Sequence, residues 1–214
     1  LSIYKSIIEN MLPTPTKSHY TFNLRDFARV HGGICMAKPE QVDNAEKCIR
    51  LWIHEVYRVF YDRLTDAQDG AWFYNAVKEA LNKEYGKNMD KIFAHLDMNG
   101  DGEIDIEEME QMMFGNYANP DKRVYDEVMD SLALQTTVEE YLADYNGVSK
   151  SPLPLVLFNY CIQHVSKISR VLSMEGGNAL LVGVGGSGRQ SLTRLAAHIQ
   201  ECDVIQIEIS KNYG

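Results

Sequence analysis

An acidic run at residues 97–108 has the spacing of a calcium-binding loop. The segment reads DMNGDGEIDIEE and matches the pattern D-x-[DN]-x-[DN]-G-x5-E at every position. Calcium takes about six to eight oxygen ligands at one point, and this spacing lets one short loop supply them. Gly102 permits the sharp turn in the middle of the loop. The predicted metal ligands are Asp97, Asn99, Asp101, Glu103 through its backbone carbonyl, Asp105 and Glu108.

This pattern is that of an EF-hand, and the alternative interpretation is a solvated acidic turn. EF-hand loops usually pair through the residue at position 8, which is Ile104 here. No second loop of this type exists, because residues 66–70 (DAQDG) have the wrong spacing, so Ile104 has no evident partner. Three methionines on the exit helix, Met109, Met112 and Met113, are interpreted as core residues rather than as a soft target groove.

A glycine-rich segment, GVGGSGRQS at residues 183–191, is the second candidate site. Read as a Walker A loop, G-x-x-x-x-G-K-[ST], it matches at Gly183 and Gly188. Arg189 replaces the lysine, Gln190 replaces the hydroxyl residue that binds Mg²⁺, and Ser191 lies one position late, about 100° around the helix. Such a loop can still cradle phosphates with backbone amides at a helix N-terminus, but it predicts a poor hydrolysis site.

The same segment also fits the dinucleotide pattern G-x-G-x-x-G, at Gly183, Gly185 and Gly188. Glu208 follows about 20 residues later, where an acid that binds a ribose belongs. A purely structural tight turn is the third interpretation, and the local pattern leaves all three open. The candidate nucleotide-binding residues are Gly183, Val184, Gly185, Gly186, Ser187, Gly188, Arg189, Gln190 and Ser191.

Composition excludes several classes of protein. The chain has 214 residues, of which 45% are hydrophobic and 24% charged, so it is not wholly disordered. A net charge of −9 argues against general nucleic-acid binding, and no apolar run is long enough to span a membrane. The four cysteines lack metal-ligand spacing and predict reduced, buried thiols. No secretory signal is visible, and the absence of an initiating Met suggests a piece of a longer protein.

Periodicity predicts a mainly α chain with a partial α/β region at its end. Residues 1–66 read as helices, including one long amphipathic helix over 39–64, and residues 67–147 form a helical segment around the acidic loop. A capping box at residues 136–139 predicts a helix start, and the linker 146–154 is the best domain boundary. Beyond it come a helix, a strand at 179–182, the glycine loop, a helix at 190–200 and a strand at 204–209, which is a β-α-β unit.

Several segments, in the same order, resemble the motor region of dynein heavy chains. The resemblance covers nearly the whole chain. Among axonemal dyneins, the chain resembles the single-headed inner-arm type. The segments that carry it are residues 18–27, 51–59, 114–117, 123–127, 138–142, 179–197 and 206–214.

This resemblance implies a division of the chain into three parts. Residues 1–66 would be the helical lid of the third AAA+ module, and 67–147 an EF-hand-containing insert. Residues 148–214 would open the fourth AAA+ module with its P-loop. Family membership makes Arg25 resemble the lid arginine that senses a nucleotide, a task that suits a permanently charged guanidinium. A surface salt bridge of Arg25 is the alternative.

The resemblance also implies a function for the parent protein. That protein would be an ATP-driven microtubule motor of cilia and flagella, with Ca²⁺ and ATP or ADP as ligands. Its expected partners are the rest of the motor ring, microtubules and axonemal light and intermediate chains, with no nucleic acid and no membrane. The expected location is the cytoplasm, cytoskeleton and axoneme. The segment itself is expected to end before the Walker B strand, and so to hold no catalytic residue and no complete ATPase site.

Two other classes of function stay open from the residues alone. One is a free-standing EF-hand calcium sensor, and the other is an oxidoreductase that binds a nicotinamide dinucleotide through the glycine pattern. A small sensor would not need the lid-like first 66 residues, which favours the motor.

Overall fold

A computed structural model describes residues 1–207 of the chain. Within these residues the chain forms nine α-helices and one short pair of strands, joined by turns and loops. The chain divides into two units. Unit 1 comprises Leu1–Asn116 together with Val124–Met129, and unit 2 comprises Tyr117–Arg123 together with the chain from Asp130 onward. The division into three parts, 1–66, 67–147 and 148–214, stays a prediction.

Unit 1 is helical apart from its strand pair. Short 3-10 turns lie at Pro39–Gln41, Tyr61–Arg63 and Ala94–Leu96. The helices are α1 (Ser2–Asn10), α2 (Leu24–Ile34), α3 (Ala45–Val59), α4 (Ala67–Tyr85), α5 (Met89–Ile92) and α6 (Ile106–Met109), and the strands are β1 (Phe114–Gly115) and β2 (Asp126–Glu127).

Side-chain caps and helical spacing explain where the longer helices of unit 1 begin. Asn23, Asn44 and Asp66 each accept a backbone N–H from the first turn of α2, α3 and α4. The core then forms from apolar residues three or four positions apart, such as Phe73 and Val77 on α4, both fully buried. The three methionines after the acidic loop, Met109, Met112 and Met113, are also buried, in agreement with their interpretation as core.

Some helix boundaries differ from the sequence prediction. A short helix is predicted from about residue 23 to residue 30, closed by Gly32 and Gly33, but α2 continues through both glycines to Ile34. A glycine inside a helix costs only about 1 kcal/mol, and tertiary packing outweighs that cost. The predicted helix over 39–64 breaks into a 3-10 turn, α3 and a second 3-10 turn. The helices on either side of the acidic loop are predicted over 89–96 and 106–114, but each is a single α-helical turn, Met89–Ile92 and Ile106–Met109.

The strand pair of unit 1 is fixed by α3. Strands β1 and β2 are antiparallel, with Phe114 opposite Glu127. Arg50 on α3 donates two hydrogen bonds to Glu127, at 2.7 and 2.8 Å, and both side chains are largely buried. Tyr125 donates to Glu55 of the same helix at 2.7 Å. These bonds join residues about 70 positions apart, so local patterns did not predict them.

Unit 2 contains α7 (Ser131–Val148), α8 (Asn159–Leu172) and α9 (Arg189–Ile199). Asp130 caps α7 by accepting the amides of Leu132 and Ala133, so the predicted helix start at the capping box of residues 136–139 is wrong. The hydroxyls of Thr136 and Thr137 instead donate to carbonyls one turn earlier in the same helix.

The two strands of the predicted β-α-β unit are not formed within residues 1–207. Residues 179–182 and 204–207 carry no strand pairing, and their apolar side chains are exposed, up to 87% for Leu180 and 90% for Ile205. A strand requires a partner for its backbone groups, and the described residues offer these two segments none. The helix between them forms as predicted, and positions 208 and 209 of the second strand lie outside the described residues.

The cysteine prediction is correct in part. All four cysteines are free, but Cys35, Cys48 and Cys202 are exposed and Cys161 is half-buried, so the prediction of buried thiols is wrong. Cys35 follows the last turn of α2 and Cys48 lies on the outer face of α3, where helical spacing alone does not decide burial. Within the described part of the chain, no helix has the length and apolar character needed to cross a membrane.

Candidate functional site

The acidic loop at residues 97–108 adopts a turn stabilised by its own side chains. The carboxylate of Asp97 accepts the amides of Gly100 at 2.6 Å and Gly102 at 3.0 Å. Both glycines have positive φ, 76° and 83°, which a residue with a Cβ adopts only with strain. Further along, Asn99 accepts the amide of Asp101, and Asp101 accepts that of Glu103, each at 2.8 Å.

The end of the loop is closed by a reciprocal cap. Asp105 accepts the amide of Glu108 at 2.8 Å, and Glu108 accepts the amide of Asp105 at 3.1 Å. The other carboxylate oxygen of Glu108 accepts the amide of Met98 at 2.8 Å, and the residue is only 5% exposed. Glu108 therefore spans the loop from its last position to its second.

The six predicted calcium ligands lie in one loop, but their side chains do not converge. Among residues 1–207, no group of three acidic, histidine or cysteine side chains lies close enough to hold a metal ion. The carboxylates of Asp97, Asp101, Asp105 and Glu108 are instead each bonded to backbone amides of the loop. The residue types and the glycine-dependent turn fit calcium, whereas the present side-chain orientations do not form its coordination shell.

Ile104, for which the sequence offered no partner, is held by two side chains from neighbouring helices. Its amide donates to Asp90 Oδ1 at 3.1 Å, and its carbonyl accepts the hydroxyl of Tyr74. Lys78 lies 3.2 Å from the same oxygen of Asp90, and the bonds to Ile104 and Lys78 lower the pKa of the Asp90 carboxyl despite its partial burial. Sequence reasoning missed Tyr74 and Asp90 because 30 and 14 residues separate them from Ile104.

The glycine loop of unit 2 leads directly into α9. Gly186 and Gly188 have φ of 80° and 79°, and Gly188 is the N-cap of the helix. The first hydrogen bond within the helix runs from the amide of Leu192 to the carbonyl of Gly188, at 2.9 Å. The amides of Arg189, Gln190 and Ser191 precede that bond, so they are the orphan donors of a helix N-terminus, a favourable place for an anion.

Arg189 is folded back over the loop that precedes it. Its guanidinium donates to the carbonyls of Leu181 and Val184, both at 3.3 Å. Gly183 is tight at this place, since an added Cβ would lie 3.0 Å from the hydroxyl of Ser187. The positive charge that replaces the Walker lysine is thus engaged with loop carbonyls.

The other predicted site residues have different surroundings. Gln190 is exposed, and Ser191 is half-buried in the first turn of α9. Arg25 lies exposed in the first turn of α2, where its amide donates to Asn23 Oδ1 at 2.8 Å. Glu208, the candidate ribose-binding acid, lies outside the described residues.

Two family models match separate parts of the chain. An AAA+ lid domain matches residues 1–95, and the P-loop containing dynein motor region D4 matches residues 153–214. The second match covers the glycine loop and supports its interpretation as a P-loop rather than as a dinucleotide fingerprint.

Curated relatives match the chain over its whole length. It is 46% identical over 215 residues to dynein axonemal heavy chain 3 of Homo sapiens, covering 100% of this chain and 5% of the relative. It is 46% identical over 218 residues to dynein axonemal heavy chain 12 of Homo sapiens, covering 100% of this chain and 7% of the relative. Dynein axonemal heavy chain 1 of Mus musculus is 41% identical over 216 residues, again with 100% and 5% covered.

The chain therefore spans only a small part of the length of these relatives. Its fold is mainly α, with an AAA+ lid at the start and the P-loop region at the end. The collinear match at more than 40% identity, together with the two family models, shows that the chain belongs to the axonemal dynein heavy chain family.

Proposed function

We propose that this chain is part of an ATP-driven motor that moves along microtubules in the axoneme of cilia or flagella. The names of the three relatives reported above, each an axonemal dynein heavy chain, support this assignment. Within the motor, the first part would be the lid of the third AAA+ module and the last part the start of the fourth, in an inner-arm heavy chain. Light and intermediate chains of the axoneme would be partners through the parent protein.

The glycine loop would bind an adenine nucleotide by its phosphates. The observation that carries this proposal is the position of Gly188, which caps α9 with a positive φ of 79° and leaves three helix amides available to an anion. Backbone donors of this kind do not depend on the side chains at Arg189 and Gln190. Residues 183–191 would form the phosphate cradle.

Turnover at this loop would be slow or absent, which gives it a regulatory role. Gln190 offers Mg²⁺ no hydroxyl, and the guanidinium of Arg189 is held by the carbonyls of Leu181 and Val184. A planar guanidinium also differs in shape and reach from the compact ammonium of a lysine. The motor stroke would then depend on hydrolysis in other modules.

Hydrogen exchange in the intact heavy chain tests nucleotide binding. ADP should slow the exchange of the amides at residues 185–191, whereas NADH should not. If ADP does not slow the exchange of these amides in the wild type, the proposal is contradicted.

The regulatory role is tested by microtubule gliding: Arg189→Ala should change gliding speed without stopping it. A motor that this variant stops as completely as a disabled first module would contradict the role.

Arg25 would report the nucleotide of the third module. Its exposed position in the first turn of α2 leaves its guanidinium accessible to a phosphate supplied by another part of the ring. Arg25→Ala should lower the ATPase rate of the intact motor more than Arg29→Ala does. Arg29 lies one turn later and pairs with Asp26 at 3.2 Å, so it is the matched control.

Calcium binding at residues 97–108 is the second function that we propose. The complete ligand pattern and the turn that Asp97 makes with Gly100 and Gly102 support it. Binding would require the carboxylates of Asp97, Asp101 and Glu108 to turn toward one point, at some cost to the amide bonds that they now accept. Because this rearrangement opposes binding, we expect an affinity near the weak end of the sensor range, about 10⁻⁵ M.

Terbium luminescence is a suitable test of calcium binding. Tyr74 donates to Ile104 inside the loop, so its excitation should sensitise a bound Tb³⁺ ion. Glu108→Gln should abolish the calcium-displaceable signal, whereas Glu107→Gln, the exposed neighbouring position outside the ligand pattern, should preserve it. Equal signals from wild type and Glu108→Gln would contradict the ligand assignment.

A further inference from the structure

Two residues with unusual backbone conformations contact each other at the carboxyl end of α9. Arg123 has φ of 42° and Glu201 has φ of 55°, and no other non-glycine residue among positions 1–207 has a positive φ. Their side chains form an ion pair at 2.6 Å. Backbone strain at non-glycine residues persists only where surrounding contacts fix it, and it is frequent at functional positions.

Glu201 occupies the position where helices usually have a glycine. After α9, the amide of Glu201 donates to His198 O at 3.0 Å and the amide of Cys202 donates to Ala197 O at 2.8 Å. These are the two bonds of a Schellman motif, whose left-handed residue is most often glycine. Here a glutamate takes that conformation, and its carboxylate binds Arg123.

Arg123 also satisfies the helix end directly. Its second guanidinium nitrogen donates to the carbonyl of Ile199, the last residue of α9. This carbonyl is one of the orphan acceptors of a helix C-terminus, where a cation is also favoured by the helix dipole. One arginine thus holds both the last carbonyl of α9 and the side chain that follows it.

The segment that carries Arg123 is anchored on α8 within the same unit. Tyr117 is 1% exposed, and its hydroxyl shares a hydrogen bond with Ser166 of α8. Residues 117–123 therefore have one fixed end in the core of unit 2 and the other at the end of α9. Because α9 has 11 residues and is about 16 Å long, a displacement at its carboxyl end is transmitted to its amino end.

We propose that Arg123 is a positioning residue for the phosphate-binding loop. It holds the carboxyl end of α9, and the amino end of the same helix presents the amides that would bind the nucleotide. This inference rests on the proposed nucleotide binding at residues 183–191. It predicts that the loop binds ADP more weakly when the clamp, defined as Arg123 and Glu201, is removed.

Hydrogen exchange of the intact heavy chain under an ADP titration tests this inference. In Arg123→Gly, glycine accepts the positive φ and only the guanidinium contacts are lost. The ADP concentration for half-protection of residues 183–192 should rise about fivefold, and exchange near residues 196–199 should accelerate. Arg123→Lys, which keeps the positive charge but on a single nitrogen, should restore part of the affinity. Lys122→Ala, which removes a charge at the neighbouring exposed position, should behave as wild type.

A second variant separates positioning from folding. Glu201→Gly removes the ion pair and relieves the strained helix end, so it preserves the unit, and it should still weaken ADP protection about twofold. If Arg123→Gly accelerates exchange throughout α7 and α8, that variant has destabilised the whole unit. The ADP titration of Glu201→Gly then decides whether the clamp positions the loop. Half-protection at wild-type ADP concentrations in a folded Arg123→Gly chain overturns the inference alone. Absence of ADP protection in the wild type overturns the nucleotide proposal and this inference together.

Discussion

Removing the hydroxyl of Tyr74 tests how the acidic loop is held without a second, paired loop. Tyr74 donates to the carbonyl of Ile104, a residue that is 2% exposed, while Asp90 accepts the amide of Ile104 at 3.1 Å. Tyr74→Phe retains the ring, which also contacts the ammonium of Lys78. The substitution therefore removes the interactions of the hydroxyl, with the carbonyl of Ile104 and with Lys78, and leaves the packing of the ring in place.

The expected loss of stability follows from the acceptor that is left behind. A buried carbonyl without its donor costs about 1–3 kcal/mol. Because Tyr74 is half-buried, water can reach part of this site, so we expect the lower end of that range, about 1 kcal/mol. A change of this size multiplies the equilibrium for local opening of the loop by about five.

Hydrogen exchange measures this opening in peptides that cover residues 102–106. Tyr74→Phe should accelerate the exchange of the Ile104 amide about fivefold. Tyr85→Phe is the matched control, because it removes the same atom from a residue of the same helix that is 52% exposed, and it should leave the loop unchanged.

Unchanged exchange in Tyr74→Phe would refute the argument that side chains from α4 and α5 replace a partner loop. The same acceleration in Tyr85→Phe would refute it as well, since the effect would then belong to α4 as a whole. An acceleration of exchange that occurs in Asp90→Asn but not in Tyr74→Phe would assign the support to the amide bond of Ile104 alone.

Three further predictions concern stability. Arg50→Ala should lower the free energy of unfolding by about 3 kcal/mol, measured by chemical denaturation, because it leaves the buried carboxylate of Glu127 without its principal partner. Gly86→Ala should lower the free energy of unfolding by about 1 kcal/mol, because Gly86 ends α4 with φ of 61°. Its thermal midpoint should therefore be lower than that of the control variant Gly147→Ala. Complete burial raises the pKa of Tyr117 to about 12, so its contribution to stability is full below pH ~10 and is lost as the pH rises from there toward 12. Tyr117→Phe should remove that alkaline loss in pH-dependent melting, and an unchanged slope would contradict the assignment.

The local pattern predicted those elements whose stability is local. Apolar residues three or four positions apart identified α4 and α9, and the order of Asp, Asn and Gly at residues 97–102 predicted a turn that the structure forms with Asp97 at its centre. The glycines before α9 likewise predicted a loop that opens onto a helix N-terminus. In each case the determining contacts lie within a few residues of one another.

Contacts between distant residues were decided by the tertiary structure. The pairing of β1 with β2 depends on Arg50, 77 residues before Glu127, and the end of α9 depends on Arg123, 78 residues before Glu201. The support of Ile104 by Tyr74 spans 30 residues. No periodic pattern specifies such pairs, because each requires two segments to be brought together by the packing of other helices.

The sequence by itself determined the residue types of both candidate sites, and the tertiary structure determined the state of their side chains. Spacing placed the carboxylates in one loop, but backbone amides hold them apart, because each unpaired amide of a tight turn binds the nearest acceptor. Apolar patterning predicted strands at 179–182 and 204–209, yet neither is formed within the described residues, which end at 207, because a strand exists only when a neighbouring strand completes its hydrogen bonds. A helix such as α9 satisfies its own backbone, so the sequence alone was sufficient to predict it.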